Sequence, residues 1–380
     1  MNLEKLCAKF PGGIFRTEHP FYMVDAIRDI PDCLDACISE SIIDEIRQQL
    51  GSFKPKNIFA VGCGTSYNAC QAVGYSLQSL LEIPAMAYDA HDFLLDFPPG
   101  VDQNSMVISI SESGNSITTC LSQEKAARNG AFTVGISANP RSRLAMEAKL
   151  TITDPLLHEI PLGKTRTFQS TTLLGILAGM MTLDSAQNLK FIRQMKEVNQ
   201  LIRENLNYWE GTAKNIARDV GNEVTRYITT GFGAQKAVAD EIGLKLIEVV
   251  GESATSYGLE EFTHGPSATF RKDLGIILFQ TDQRTLEKAV QIAHGIAISD
   301  ARLVVITDKP EAGWPVIARL INLPEIPNPQ IFGQFPAAVA AQYLFYYLAL
   351  QKGKNPDVNS EDTNPELGEI YAFFFPPGTH

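Results

Sequence analysis

The sequence has no cysteine pair of redox or zinc-binding spacing. Cys7, Cys33, Cys37, Cys63, Cys70 and Cys120 all fall in the first third, without C-x-x-C or zinc spacing, and a 380-residue chain needs no disulfide staples. It also lacks a basic excess. Its 32 Lys and Arg face 43 Asp and Glu, a net charge of −11, so no global field attracts nucleic acid or an anionic membrane. An anionic ligand must therefore be held by local dipoles. No helix-turn-helix segment or basic patch points to a transcriptional role. The longest apolar stretches, Leu173–Met181 and Pro336–Leu350, are too short or too interrupted for the roughly 20 residues of a transmembrane helix. The opening Met-Asn-Leu-Glu-Lys has neither a signal nor an anchor, so a cytoplasmic protein with no membrane partner is expected. No G-x-x-x-x-G-K-[ST] occurs, and Tyr67 occupies the third glycine position of a G-x-G-x-x-G run begun by Gly62 and Gly64. A nucleotide site is not expected there.

The chain does have an ordinary globular composition, 44% apolar and 20% charged, with length for two domains. Strand-like runs at Asn57–Val61, Met106–Ser111, Phe132–Ser137 and Leu150–Asp154 alternate with helix-patterned sequence such as Ala69–Leu81. Such alternation predicts α/β architecture, a parallel sheet with helices on both faces. The order then returns at an offset of 169 residues. Gly62, Gly64, Gly74, Leu77, Tyr88 and Phe93 are matched without a gap by Gly231, Gly233, Gly243, Leu246, Tyr257 and Phe262. We therefore expect two tandem α/β domains of one fold. The boundaries read as a helical arm at 1–50, a first domain at 51–187, a helical linker at 188–220, a second domain at 221–351 and a polar tail at 352–380. The tail ends in the aromatic run Phe373–Phe375, which needs a surface to pack on.

The copies keep different residues. The first carries Ser111-Glu112-Ser113-Gly114-Asn115-Ser116 after a strand and before a helix, where the second has Gln280-Thr281-Asp282-Gln283-Arg284-Thr285. Free helix N–H groups, serine hydroxyls and a close-approaching glycine suit a phosphate. Plain helix capping is the other reading, although three serines exceed what a cap uses. The turn Gly62-Cys63-Gly64-Thr65-Ser66 should open at the same sheet edge and bring Thr65 and Ser66 alongside. A hydroxyl-lined cleft suits a sugar phosphate better than a nucleotide. The second copy instead carries Glu248 and His264, where the first has Ser79 and Leu95. Lys245 and Glu248 would share one helix face. Taken alone, such a pair is usually a solvated surface pair, and a histidine before Gly265-Pro266 is more often a turn residue.

Together these motifs carry a resemblance. Ile27–Pro31, Gly62–Tyr67, Ser111–Ser116, Glu159-Ile160, Thr165-Arg166, Leu244–Glu248 and His264-Gly265-Pro266 follow in one order from about Pro20 to Asp357. In this the chain resembles the double sugar isomerase (SIS) domain family, which includes the isomerase half of glucosamine-6-phosphate synthase and deglycases of phosphorylated sugar–amine conjugates. The resemblance implies that Gly64, Thr65, Ser66, Ser111, Glu112, Ser113 and Ser116 surround the phosphate and that Leu162–Thr165 line the sugar. It implies that Glu248, beside Lys245, moves a proton between C1 and C2 of the open-chain sugar. His264 would assist ring opening from the neighbouring subunit of a homodimer, or of a dimer of dimers. No metal and no organic cofactor is implied.

Three departures from the family pattern shape the expected reaction. Glu112 replaces the usual glutamine of the serine turn and is expected to bond to backbone or to a substrate amine. No glutaminase sequence precedes the arm, and Met1-Asn2 offers no N-terminal cysteine. Asn364 falls where the synthase has its tail lysine, and no lysine follows Lys354. The expectation is therefore cleavage of the C–N bond of a sugar–amine 6-phosphate, by a deglycase or deaminase. Phosphosugar isomerisation and a non-catalytic sugar-phosphate sensor are the alternatives, and the presence of both Glu248 and His264 argues against the sensor.

Overall fold

A computed structural model describes residues 10–161, 163–221, 223–358 and 364–375. The chain forms two compact units. One holds Ile30–Glu159 and Arg166–Asn199, the other the described residues among Met1–Asp29, Ile160–Thr165 and Gln200–Phe374.

The first unit contains a five-stranded parallel sheet of β1 (Asn57–Gly62), β2 (Ala85–Asp89), β3 (Ser105–Ile110), β4 (Phe132–Ser137) and β5 (Leu150–Thr153), in the order β2-β1-β3-β4-β5. Its central strands are short apolar runs, buried apart from the half-buried first residues of β1 and β4, as a sheet covered on both faces requires. Helices α1 (Thr65–Leu81), α2 (Ile117–Arg128) and α3 (Arg166–Met180) flank it, and α3 is buried from Thr167 to Met180. The second unit repeats this plan. Its strands β6 (Arg226–Gly231), β7 (Ser253–Gly258), β8 (Leu274–Gln280), β9 (Arg302–Thr307) and β10 (Arg319–Asn322) are ordered β10-β9-β8-β6-β7. Helices α4 (Ala234–Lys245), α5 (Leu286–Ile296) and α6 (Gln334–Gln351) belong to it. The apolar runs noted in the sequence lie in α3 and α6. A helix that is apolar on all sides belongs in a core, and among the described residues no helix is long and apolar enough to cross a membrane.

The duplication extends to strand register. Ile58 pairs with Ala85 and Met106 in one sheet, and Tyr227 pairs with Ala254 and Gly275 in the other, each residue shifted by the same 169. The structure adds one strand per copy, β2 and β7, to the four read from sequence. Both lie at sheet edges, and their half-exposed residues (Ala85-Met-Ala-Tyr-Asp in β2) show neither a buried run nor clean alternation. Helix α1 also starts earlier than read, at Thr65.

Within the second unit, the short helix Tyr22–Arg28 receives no cap from Phe21, which precedes it. Asp357 supplies one from far along the chain, accepting from the backbone N–H of Tyr22 (2.7 Å) and Met23 (2.8 Å). Burial pushes this carboxyl up to about 6, against those two hydrogen bonds. Phe373–Phe375 are exposed.

Candidate functional site

β1 and β3 are neighbours at the point where the strand order reverses, the usual place for a ligand crevice in an open parallel sheet. The turns after both strands lie side by side: Cys63 Sγ is 3.7 Å from Thr118 Oγ1 and 4.0 Å from Thr119 Oγ1, in the first turn of α2. The first turn enters α1 through Gly64, whose φ of 55° and ψ of −129° favour glycine. In the second turn, Ser111 Oγ donates to Ser116 Oγ (3.2 Å) and accepts from the Gly114 N–H (3.1 Å). Ser113 Oγ accepts from the Asn115 N–H at 3.2 Å. Gly114 has φ +68°, and a Cβ there would lie 2.0 Å from Ser142 Oγ, so no larger residue fits. Neither Gly64 nor Ser116 provides a side-chain cap for the helix it starts. Plain helix capping therefore does not account for the serines. Two helix starts without a side-chain cap converge at one sheet edge, which chemically favours an anion.

Glu112 stands inside this turn, 17% exposed. Its Oε1 is 2.8 Å from His158 Nδ1 and accepts from the Glu159 N–H at 3.4 Å. Glu159, itself buried, accepts from the Thr167 N–H at the start of α3 (2.9 Å).

The corresponding crevice of the second unit is filled by its own side chains. Gln235 Nε2 donates to Thr281 Oγ1 at 2.7 Å. Asp282 accepts from the Arg284 N–H (3.0 Å) and from its Nε (2.9 Å), and the guanidinium lies 5.4 Å from the Phe232 ring centroid. Burial opposes ionisation of Asp282, but Arg284 and the backbone outweigh it and hold the carboxyl below its usual range. An acid, its own counter-ion and an aromatic ring stand where the first copy has Ser113, Asn115 and Cys63.

The same unit presents a different chemistry at the end of α4. After Lys245 the helix widens into a π-helical turn, Leu246–Val250. Lys245 is fully buried. Its Nζ lies 2.7 Å from Glu248 Oε2 and 3.2 Å from Glu241 Oε1. Burial alone would lower the ammonium's pKa, but the two carboxylates reverse this and hold it above its ordinary value. Both acids hold the lysine, but Glu241 is only 1% exposed whereas Glu248 is 30% exposed and so faces solvent as well. Gly163 packs on this turn: a Cβ there would lie 2.6 Å from Val249 Cγ2 and 3.8 Å from Lys245 Cδ.

The structure thus groups Gly64, Thr65, Ser66, Ser111, Glu112, Ser113 and Ser116 at one sheet edge, and Lys245 with Glu248 at the end of one helix. Thr165 is buried, its carbonyl accepting from Gln342 Nε2 at 3.0 Å. Leu162 lies outside the described residues. His264 is 68% exposed, and its polar partner among the described residues is Glu260, at 3.5 Å. Glu112 meets the Glu159 backbone, as expected, and also His158, which the sequence reading did not single out. Glu241 was missed as well, although its spacing of four from Lys245 and seven from Glu248 puts all three on one helical face. Among the described residues, no group of three or more His, Cys, Asp or Glu could hold a metal.

Residues 53–181 match the family model of the SIS domain, and the two five-stranded parallel sheets match two tandem copies of that α/β fold. It is 26% identical over 371 residues to the isomerizing glutamine–fructose-6-phosphate aminotransferase of Bacteroides thetaiotaomicron, covering 91% of this chain and 58% of that protein. It is 28% identical over 340 residues to the Legionella pneumophila protein of the same name, covering 86% and 54%. The chain thus spans a little over half the length of these relatives. Among solved structures, it resembles the C-terminal domain of glucosamine-fructose-6-phosphate aminotransferase from Francisella tularensis, with a TM-score of 0.78 and 21% identity over 91% and 99% of the two chains. It also resembles tagatose-6-phosphate ketose/aldose isomerase from Escherichia coli, at 0.73 and 18% over 90% and 96%. These two likenesses concern the fold.

Proposed function

We propose that the protein binds a sugar phosphate in the Ser111–Ser116 turn and cleaves the C–N bond of a sugar–amine 6-phosphate conjugate, with Glu248 as the proton-transfer group. The observation that carries this reading is the Glu241–Lys245–Glu248 arrangement. A buried ammonium held between two carboxylates fixes the partly exposed one, Glu248, in place for general acid–base work. In a ketosamine the amine is on C1 and the carbonyl at C2. Glu248 takes the C1 proton while the C2 oxygen is protonated, giving an enolamine. Return of the proton to C2 gives the C1 imine, and water adds at C1 as the C–N bond breaks. The products are an aldose 6-phosphate and a free amine. The names of the relatives, which handle fructose 6-phosphate and tagatose 6-phosphate, agree with a phosphosugar ligand.

His264 completes the site of a second copy in this reading, which fits its exposure in a single chain. The test is a panel of sugar–amine 6-phosphates with amine and hexose phosphate measured separately. Release of both supports cleavage; interconversion of aldose and ketose phosphates without amine release makes the protein an isomerase. Glu248→Gln should lose about 10²–10⁴-fold in turnover and keep phosphosugar affinity within about tenfold. Mixing Glu248→Gln with His264→Ala chains should restore up to about a quarter of wild-type activity. Near-normal turnover by Glu248→Gln, or no recovery despite subunit exchange, overturns these assignments.

A further inference from the structure

We propose that Glu112 makes the serine turn selective for phosphosugars that carry a protonated amine. This rests on the Ser111–Ser116 turn being the phosphate site. A carboxylate in the middle of an anion-binding turn works against a phosphate. At about 5 Å, even at the dielectric of bulk water, one such charge beside a dianion weakens binding by about tenfold. The fold does not require an acid there, because the second copy has Thr281 at the matched position.

The acid also differs from the buried carboxylates of the molecule. Glu241 is sealed against Lys245, whereas Glu112 keeps 17% of its side chain exposed and faces a histidine that is 70% exposed. His158 and the Glu159 N–H hold the carboxylate while part of the side chain still faces solvent. The sugar attached to a phosphate held by Ser111, Ser113 and Ser116 lies within reach of the side chain between them. An ammonium on that sugar lowers the ligand's net negative charge and pairs with Glu112. A neutral hydroxyl there does neither. His158 is then a positioning residue, and Glu112 the residue that sets the charge of the accepted substrate.

The test is calorimetric binding of glucose 6-phosphate, glucosamine 6-phosphate and inorganic phosphate at one pH and ionic strength. We expect the wild type to bind glucosamine 6-phosphate about 5–20-fold more tightly than glucose 6-phosphate. Glu112→Gln preserves shape and an acceptor for the Glu159 N–H, and should shrink that ratio to within about twofold, chiefly by tightening glucose 6-phosphate and inorganic phosphate. His158→Gln should act oppositely, weakening glucose 6-phosphate and retaining the preference for the amine. An equal ratio in wild type and Glu112→Gln, with both folded by circular dichroism, overturns the selectivity. If wild type and Glu112→Gln bind none of the three ligands, the phosphate-site reading falls and takes this inference with it.

Discussion

Lys245→Met tests whether the triad at the end of α4 is an electrostatic unit. Methionine nearly preserves the length and bulk of the lysine stem, so packing changes little. What disappears is the ammonium 3.2 Å from Glu241 and 2.7 Å from Glu248. With Glu241 only 1% exposed, its carboxylate keeps its burial and loses the charge that faced it. Removing one member of such a buried pair costs about 3–5 kcal/mol, most of it the penalty of the charge left behind. The diagnostic is therefore rescue. Glu241→Gln in the same chain removes that charge, and the double variant should regain about 2 kcal/mol or more over Lys245→Met. Both tryptophans, Trp209 and Trp314, lie in the unit that holds Lys245, so intrinsic fluorescence during urea unfolding follows that unit. Midpoints compared at constant slope give the coupling. A cost below about 1 kcal/mol for the single variant, or a double variant no more stable than it, refutes the unit.

Two other perturbations follow from local geometry. Asp357 has a folded-state pKa of about 6 against an ordinary 3.8, so the folded protein binds its proton more tightly than the unfolded chain. Its contribution is fully present below pH 3.8 and is lost as pH rises to about 6, a fall of about 3 kcal/mol at 1.36 per unit. Asp357→Asn should flatten this part of the stability profile, and an unchanged slope between pH 4 and 6 would sink the assignment. Gly114→Ala places a Cβ 2.0 Å from Ser142 Oγ in a left-handed backbone conformation. It should cost about 1–3 kcal/mol and abolish phosphate binding measured by titration, whereas normal binding would mean that the anion sits elsewhere.

The sequence reveals most where burial or local chemistry is continuous along the chain. The central strands were readable because runs such as Ile58–Val61 and Leu274–Phe279 are covered on both faces. Edge strands β2 and β7 were not, since half-exposed residues carry neither signal. The serine turn was readable because its hydroxyls and glycine are consecutive. Glu241 was not, because an acid four residues before a lysine looks the same on a solvated helix, and only burial separates the cases. His158 lies 46 residues from Glu112, and only the folded chain joins them.

The divergence of the two copies follows from the same topology. A parallel sheet with this strand order makes a crevice between its first and third strands in each copy, whether or not the protein uses it. Left open, both would present helix N-termini and backbone N–H groups to solvent and compete for anions. In the second copy, Phe232 replaces Cys63 and Arg284 replaces Asn115, and the two close over Asp282. These substitutions matter only as a set. Asp282 without Arg284 would be a carboxylate with no cation beside it at the start of α5, and Arg284 without Phe232 and Asp282 would itself attract anions. The end of α4 in the second copy carries Glu241, Lys245 and Glu248. The first copy has Ala72, Ser76 and Ser79 at those three positions, and so carries none of the three charges. The two copies have therefore diverged at both places: the first keeps the open serine turn where the second carries Asp282 and Arg284, and the second alone carries the charged group at the end of α4.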